Sequence, residues 1–274
     1  MKRACELCKV SRSGYYAYLK RAIKSEVDIL GQRVKQIFFK SKQRYGSRRI
    51  KKELEKQGIV VSRKKISRLM AKYNLLAKAR RKMRYTTDSN HKLPVAPNLL
   101  DQSFEVTNPN EVWVGDITYL KTREGWLYLS IVIDLYSRKV VGWHLSNRMT
   151  KELVIEALRM AIKDRQPNRG LIFHSDRGSQ YCSHAYQELL SMYGFRSSMS
   201  RKAECLDNAV AESFFHTLKV EAIYGEPLRS KREMAREVRE YIEVFYNRQR
   251  LHSNNGYLSP CEFERLNSTF LVSA

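Results

Sequence analysis

Between residues 111 and 146 three apolar, strand-like runs follow one another with no room for a helix between them. EVWVGDITYL is separated by the turn TREG from WLYLSIVIDLYS, and RKVVGWHLS follows at once. Parallel neighbours need a crossover of a dozen or more residues, so these three runs predict an antiparallel meander. In the first run Val114, Asp116, Thr118 and Leu120 share one face. A charged carboxylate in the middle of such a strand is costly unless something pairs with it or binds it.

The pattern then changes period. TKELVIEALRMAIKDR reads as an amphipathic helix and GLIFHSD as a strand, followed by a helix near 184–193 and a short strand at FRSSMS. DNAVAESFFHTLK is a further helix, with Asp207 and Asn208 as capping residues. The order β-β-β-α-β-α-β-α predicts an α/β, ribonuclease-H-like core over residues 111–228, a mixed five-stranded sheet with helices. Ser230, with Glu233 three residues on, predicts a capping box and a helix to about Asn247. Ser259-Pro260 with Glu262 starts one more turn. Residues 229–274 are therefore expected to be a C-terminal helical extension.

The first third differs in charge. Residues 1–100 carry 28 Lys and Arg against 6 Asp and Glu, whereas residues 101–274 carry 23 against 22. Charge gathered in one segment points to a polyanion-binding module beside a near-neutral domain; solubility alone would not segregate it. A short helix is expected over 5–20. Residues 31–76 hold three helical patterns: GQRVKQIFFKS, then a helix from Ser47 to Gly58, then one capped by Ser62. Ile66, Leu69 and Met70 share a face of the last, leaving Arg63, Lys64, Ser67 and Arg68 largely off it. A tight connection before a basic final helix predicts a helix-turn-helix at about 31–76, within a basic all-α region 1–76. Arg48 and Arg49 open the preceding helix and are candidate phosphate contacts. A solvated helical bundle is the plainer reading. Residues 77–110, basic and then Pro-containing, read as a linker.

Three acids carry the chemistry. Asp116, Asp176 and Glu212 stand at D-x59-D-x35-E, each beside apolar residues and on separate elements. Asp176 ends a strand, where ligands collect in α/β sheets. Glu212 lies near the start of a helix, among core residues. Hard carboxylate oxygens suit Mg²⁺, and two such ions can serve both oxygens of a phosphodiester displacement. Taken singly, each acid reads as a surface ion-pair or cap residue; the three together favour a metal site. Lys219, two turns after Glu212, and His216, at i+4, lie on the same face and are candidate DNA contacts. Asp134, in IDLYSR, is read as structural, Glu221 as a surface residue, and His174 as a neighbour of Asp176 with nothing to mark it as a ligand.

The five scattered cysteines argue against a disulfide framework, and Cys5-x-x-Cys8 lacks a second Cys/His pair at finger spacing. No apolar run is long enough to span a bilayer and no signal-peptide pattern opens the chain. A cytoplasmic, nucleoid-associated protein is expected, with no membrane partner.

WVGDITYL, IDLYSRKVVGW, HSDRGSQY, DNAVAESFFHTLK and YNRQRLHSNNGYLSP together resemble the integrase-core transposases of bacterial insertion sequences, of the second-reading-frame type. SRSGYYAYLKR and YGSRRI extend the likeness over nearly the whole chain. The resemblance implies a DDE polynucleotidyl transferase with Asp116, Asp176 and Glu212 as its metal-binding triad. It implies 3′-end cleavage and strand transfer with Mg²⁺, Mn²⁺ substituting. It also implies double-stranded terminal-repeat and target DNA as partners, a homo-oligomer, and in some elements a first-frame product. A sequence-specific DNA-binding regulator and a purely hydrolytic ribonuclease-H-like nuclease remain the alternatives.

Overall fold

The computed structural model describes residues 5, 8, 10–23, 28–78, 94–100, 106–201 and 208–271, and it divides into two units, Met1–Lys78 and Ala79–Ala274. Asp207, Cys205 and most of the expected linker lie outside the described residues.

The first unit contains helices α1 (Arg12–Ile23), α2 (Ile29–Lys40), α3 (Ser47–Lys56) and α4 (Arg63–Lys72). Cys5 is helical and Cys8 lies in a turn, so the helix expected over 5–20 is interrupted before α1 begins at Arg12, where the Ser11 hydroxyl accepts the Gly14 N–H at 3.0 Å. Val34, Ile37 and Phe38 of α2, Ile50 and Leu54 of α3, and Ile66 and Met70 of α4 are buried and form the apolar interior. Asp28 fastens α2 to the end of α4. Its carboxylate accepts the Gly31 N–H at 2.8 Å and the Tyr73 hydroxyl at 2.6 Å. Gly31 is required there, since a Cβ would stand 2.5 Å from the Tyr73 ring. The Ser62 hydroxyl accepts the Lys65 N–H at 3.2 Å, which is the N-cap expected from the sequence.

In the second unit β1 (Val112–Thr122), β2 (Gly125–Asp134) and β3 (Val140–Ser146) form the antiparallel meander. Helix α5 (Lys151–Arg165) crosses to β4 (Ile172–Ser175), which pairs with β1 in parallel. Helix α6 (His184–Met192) then leads to β5 (Arg196–Met199), parallel to β4. The sheet order is β3-β2-β1-β4-β5, the ribonuclease-H-like arrangement. One face buries Trp113, Val132, Val141 and Phe173 against Leu158 of α5 and Tyr186 of α6. Gly142 lets α5 lie close on β3, because a Cβ there would meet the Ala157 carbonyl. Helix α7 (Ala209–Leu218) packs on β1.

Two stretches wind more widely than the expected α-helices. After Leu218 the chain takes a π-helical turn over Lys219–Ile223, and α8 (Lys231–Arg239) runs into a second π-helical stretch, Glu240–Tyr246. Both halves of the Ser230/Glu233 capping box are present. Helix α9 (Pro260–Leu271) closes the described chain.

Candidate active site

The parallel register of β1 and β4 brings two of the acids together. Val112 pairs with Ile172 and Val114 with His174; two residues beyond that pairing Asp116 and Asp176 stand close enough for the Asp176 charge to act on Asp116. Strand β4 ends at Ser175, which leaves the edge of β1 open from that point. Gly115 permits the close packing behind the site, since a Cβ there would come within 2.6 Å of the Phe173 ring.

Each aspartate is oriented by backbone. Asp116 Oδ1 accepts the Ile117 N–H at 2.7 Å, and Asp176 Oδ1 accepts the Gly178 N–H at 2.9 Å. A Cβ at Gly178 would stand 3.0 Å from that Asp176 oxygen, so glycine keeps the approach open.

Asp116 keeps some exposed surface yet is set deep among protein atoms. Burial first, and then the Asp176 charge, push its carboxyl well above the usual range; Glu212 adds to the rise, and Lys219 opposes it. Burial also raises half-buried Glu212 on α7. Among the described residues no three of His, Cys, Asp and Glu are gathered at metal-binding distance. The structure thus pairs Asp116 with Asp176 and sets Glu212 within their field, without drawing all three into one coordination shell. Two crowded carboxylates that destabilise each other's charge suit a divalent cation, as does their all-oxygen donor chemistry.

Lys219 is buried, with Nζ 5.0 Å from the centroid of the Tyr119 ring. Burial lowers its pKa, against the pull of Asp116. His216, one turn earlier, is half-buried. Arg63, Lys64, Ser67, Arg68 and Arg48 are exposed on the first unit, and half-buried Arg49 lies 5.6 Å from the Tyr45 ring centroid.

The other polar residues of the core are structural. Asp134 is buried and accepts from the Asn110 N–H at 2.9 Å and from Arg165 Nη2 at 3.0 Å. His174 is held between the Ser198 and Ser200 hydroxyls at 2.8 and 3.2 Å, which ties β4 to β5. Asn208 occupies the N-cap position of α7, but its side chain makes no cap bond; its amide reaches the Gly115 carbonyl at 3.4 Å. Glu221 is not on the surface, because the π-helical turn carries it inward to Arg250, 2.9 Å away. The sequence marked YNRQRLHS as a motif but gave Arg250 no role. A buried acid and a basic residue 29 positions apart leave no local periodicity to read.

Comparison with known proteins agrees with this architecture. The integrase core domain family matches residues 106–205, a second integrase core domain family matches 212–267, and an HTH-like domain family matches 25–83. The transposase InsF of insertion sequence IS3A from Escherichia coli (strain K12) is 46% identical over 272 residues, 97% of this chain and 94% of that protein. A 31 kDa uncharacterized protein of insertion element IS600 from Shigella sonnei is 46% identical over 262 residues, 94% of this chain and 96% of that protein. A chain from a structure of the simian T-cell lymphotropic virus intasome is 16% identical, with a TM-score of 0.49 over 78% of this chain and 69% of that one.

The class is therefore a polynucleotidyl transferase built on an integrase core. Within it, the chain belongs to the integrase-core transposases of bacterial insertion sequences.

Proposed function

We propose that this transposase cuts and joins DNA at Asp116, Asp176 and Glu212. The observation that carries the reading is the placement of Asp116 beside Asp176 where β4 stops and the edge of β1 opens. The three acids would hold divalent cations, Mg²⁺ with Mn²⁺ as a substitute, in a two-ion arrangement. Bound there, the ions supply Lewis-acid polarisation of the phosphodiester and neutralise the charge that develops on it.

The chain's own groups do the positioning. The Ile117 and Gly178 N–H groups fix the two aspartate oxygens before DNA arrives. Lys219 supplies a cation beside them for a DNA phosphate, and His216 lies on the approach. In the first reaction water attacks the phosphodiester at the element end, and the displaced oxygen leaves as a 3′-OH. In the second that 3′-OH attacks a target phosphodiester and displaces its 3′ oxygen, with no covalent protein–DNA intermediate.

The domain scheme follows from the same reading. Residues 1–76 bind double-stranded DNA through a helix-turn-helix at about 31–76, 77–110 link, 111–228 catalyse and 229–274 brace the core. Pairing two element ends calls for a homo-oligomer, and a first-frame product is a candidate partner. Among the described residues no helix is long and apolar enough to cross a membrane.

The test is a strand-transfer assay with Mg²⁺ and a labelled duplex carrying the element's terminal repeat. Joined products from the wild type, absent with Asp116→Asn and Glu212→Gln, support the assignment. Strand transfer retained by Asp116→Asn refutes it. Nicking without joining in the wild type shifts the reading to a hydrolytic nuclease, and DNA binding alone shifts it to a regulator.

A further inference from the structure

Past Asp116 the sheet narrows to a ribbon. Strand β4 has ended, and β3 reaches only as far as Ser146, opposite Tyr128. From Leu120↔Leu127 to Thr122↔Gly125, β1 and β2 pair only with each other. Two large exposed aromatics stand along it, Tyr119 at its root at 42% exposure and Trp126 one pair from its tip at 47%. Their rings meet edge to face, 5.1 Å between centroids at 89°.

The pair is rigidly mounted. At the ribbon's tip Arg123 Nη2 reaches Glu233 at 2.6 Å and its backbone N–H reaches the Arg229 carbonyl at 2.9 Å. Glu124 accepts the Lys231 N–H at 2.6 Å. Tip and α8 are thus pinned together, and the rings cannot swing with a loose hairpin. Two cations flank them. Lys219 Nζ lies 5.0 Å from the Tyr119 ring centroid, and exposed Lys121 is directly opposite Trp126 in the strand register.

We propose that Tyr119 and Trp126 form a stacking platform for an unpaired base of the DNA strand engaged at Asp116 and Asp176, with Lys219 and Lys121 holding its neighbouring phosphates. The proposal rests on the reading of those acids as the DNA-cutting site. Tyr119 is three residues along β1 from Asp116 and on the other face of the strand; Lys219, which lies by the Tyr119 ring and whose charge acts on Asp116, links the two around the open edge of β1. Base–aromatic stacking needs a free base face, and a base inside a duplex has both faces covered. The ligand is therefore a nucleotide freed from its pair near the cut. Both aromatic residues keep more than 40% of their surface exposed. A protein partner would need a far larger apolar area than two rings present, and it would gain little from two flanking ammonium groups. Stacking platforms with adjacent cations are a general solution for single-stranded nucleic acid.

The experiment follows tryptophan fluorescence in the full chain without divalent metal. The probes are an oligodeoxythymidylate, an abasic strand of the same length and charge, and a blunt duplex. Binding of each is measured in parallel by anisotropy. The oligodeoxythymidylate is expected to quench the wild type and not Trp126→Phe, in which only buried Trp113 and half-buried Trp143 remain. The abasic strand is expected to bind without quenching. Trp126→Ala should weaken oligodeoxythymidylate binding about tenfold, with Trp126→Phe in between. Equal quenching by the abasic strand, or equal quenching of wild type and Trp126→Phe, overturns the proposal. A Trp126 signal that changes with protein concentration alone assigns the rings to a contact between copies and overturns it as well. Because quenching is read without metal or turnover, loss of strand transfer in wild type bears on the acids and not on the platform.

Discussion

Arg250 holds Glu221 in a bidentate ion pair with both side chains buried: Nη2 lies 2.9 Å from Oε1, and Nε lies 3.0 Å from Oε2. The Tyr241 hydroxyl donates to Oε2 at 2.8 Å. Burial opposes charge on Arg250, but the Glu221 carboxylate outweighs it and keeps the guanidinium protonated. This pair joins the π-helical turn that begins at Lys219 to the segment after the second π-helical stretch.

Removing one partner leaves the other charge buried and uncompensated. Arg250→Ala or Glu221→Ala should each cost about 3–5 kcal/mol. The double variant Glu221→Leu/Arg250→Met should cost much less than the two singles combined, because both desolvated charges go together. Urea unfolding of the four proteins checks this, and additive losses would refute the coupling.

The crowding of Asp116 predicts how the metal-free protein responds to pH. The folded-state carboxyl is raised above its ordinary 3.8 by burial and by Asp176. Its protonated form therefore favours folding. That contribution is complete below about pH 3.8 and is lost as pH rises through the higher folded-state value. Asp116→Asn removes the effect. Without metal, the variant's melting temperature should exceed the wild type's by a margin that widens as pH rises from 4 to 7. Added Mg²⁺ should narrow the margin by stabilising the wild type alone, through preferential binding to the folded state. A constant margin across that range would show that Asp116 is not crowded.

Much of this was legible in the sequence where spacing is local. Three apolar runs with no room for a crossover forced the meander, and Ser62 and Ser230 declared their helix starts. Asp116 and Asp176 stood out because a charge in or at the end of an apolar strand has to be explained. What brings them together, the parallel pairing of β1 with β4 just before both acids, is a tertiary fact. The inward turn of Glu221 was not legible, because an α-helical projection puts a residue after Lys219 on the wrong side once the winding changes to π. Asn208 stands at the N-cap position as expected, but its side chain makes no cap bond and its amide nitrogen turns to a carbonyl of β1 instead. The Tyr119–Lys219 contact joins residues 100 positions apart and left no periodic trace.

Gly115 gives a test of how tightly the site is packed from behind. Gly115→Ala would drive a Cβ to 2.6 Å from the Phe173 ring, one residue from Asp116. Overpacking of this kind costs about 1–3 kcal/mol. Strand transfer should fall more than stability alone explains, since the displaced backbone carries the aspartate. Phe173→Leu should restore stability and part of the activity in the double variant. Failure of that second change to rescue either property would place the strain somewhere other than the ring.

Helix α4 supplies the last expectation. Ile66 and Met70 are buried while Arg63, Lys64, Ser67 and Arg68 are exposed, so packing leaves the basic residues free to face a polyanion. A cation that neutralises a DNA phosphate releases condensed counterions, and log K then falls with log salt by about 0.9 per phosphate neutralised. Replacing Arg63, Lys64 or Arg68 by alanine should weaken duplex binding and flatten that slope by about one each. The triple variant should flatten it by about three. Ser67→Ala carries no charge change and should leave the slope as it is while altering affinity only if the hydroxyl touches DNA. Titrations across 50 to 200 mM salt separate these cases. Unchanged slopes in all three charge variants would move the duplex contact off α4, because no packing rearrangement can hide the loss of three exposed cations from a counterion count.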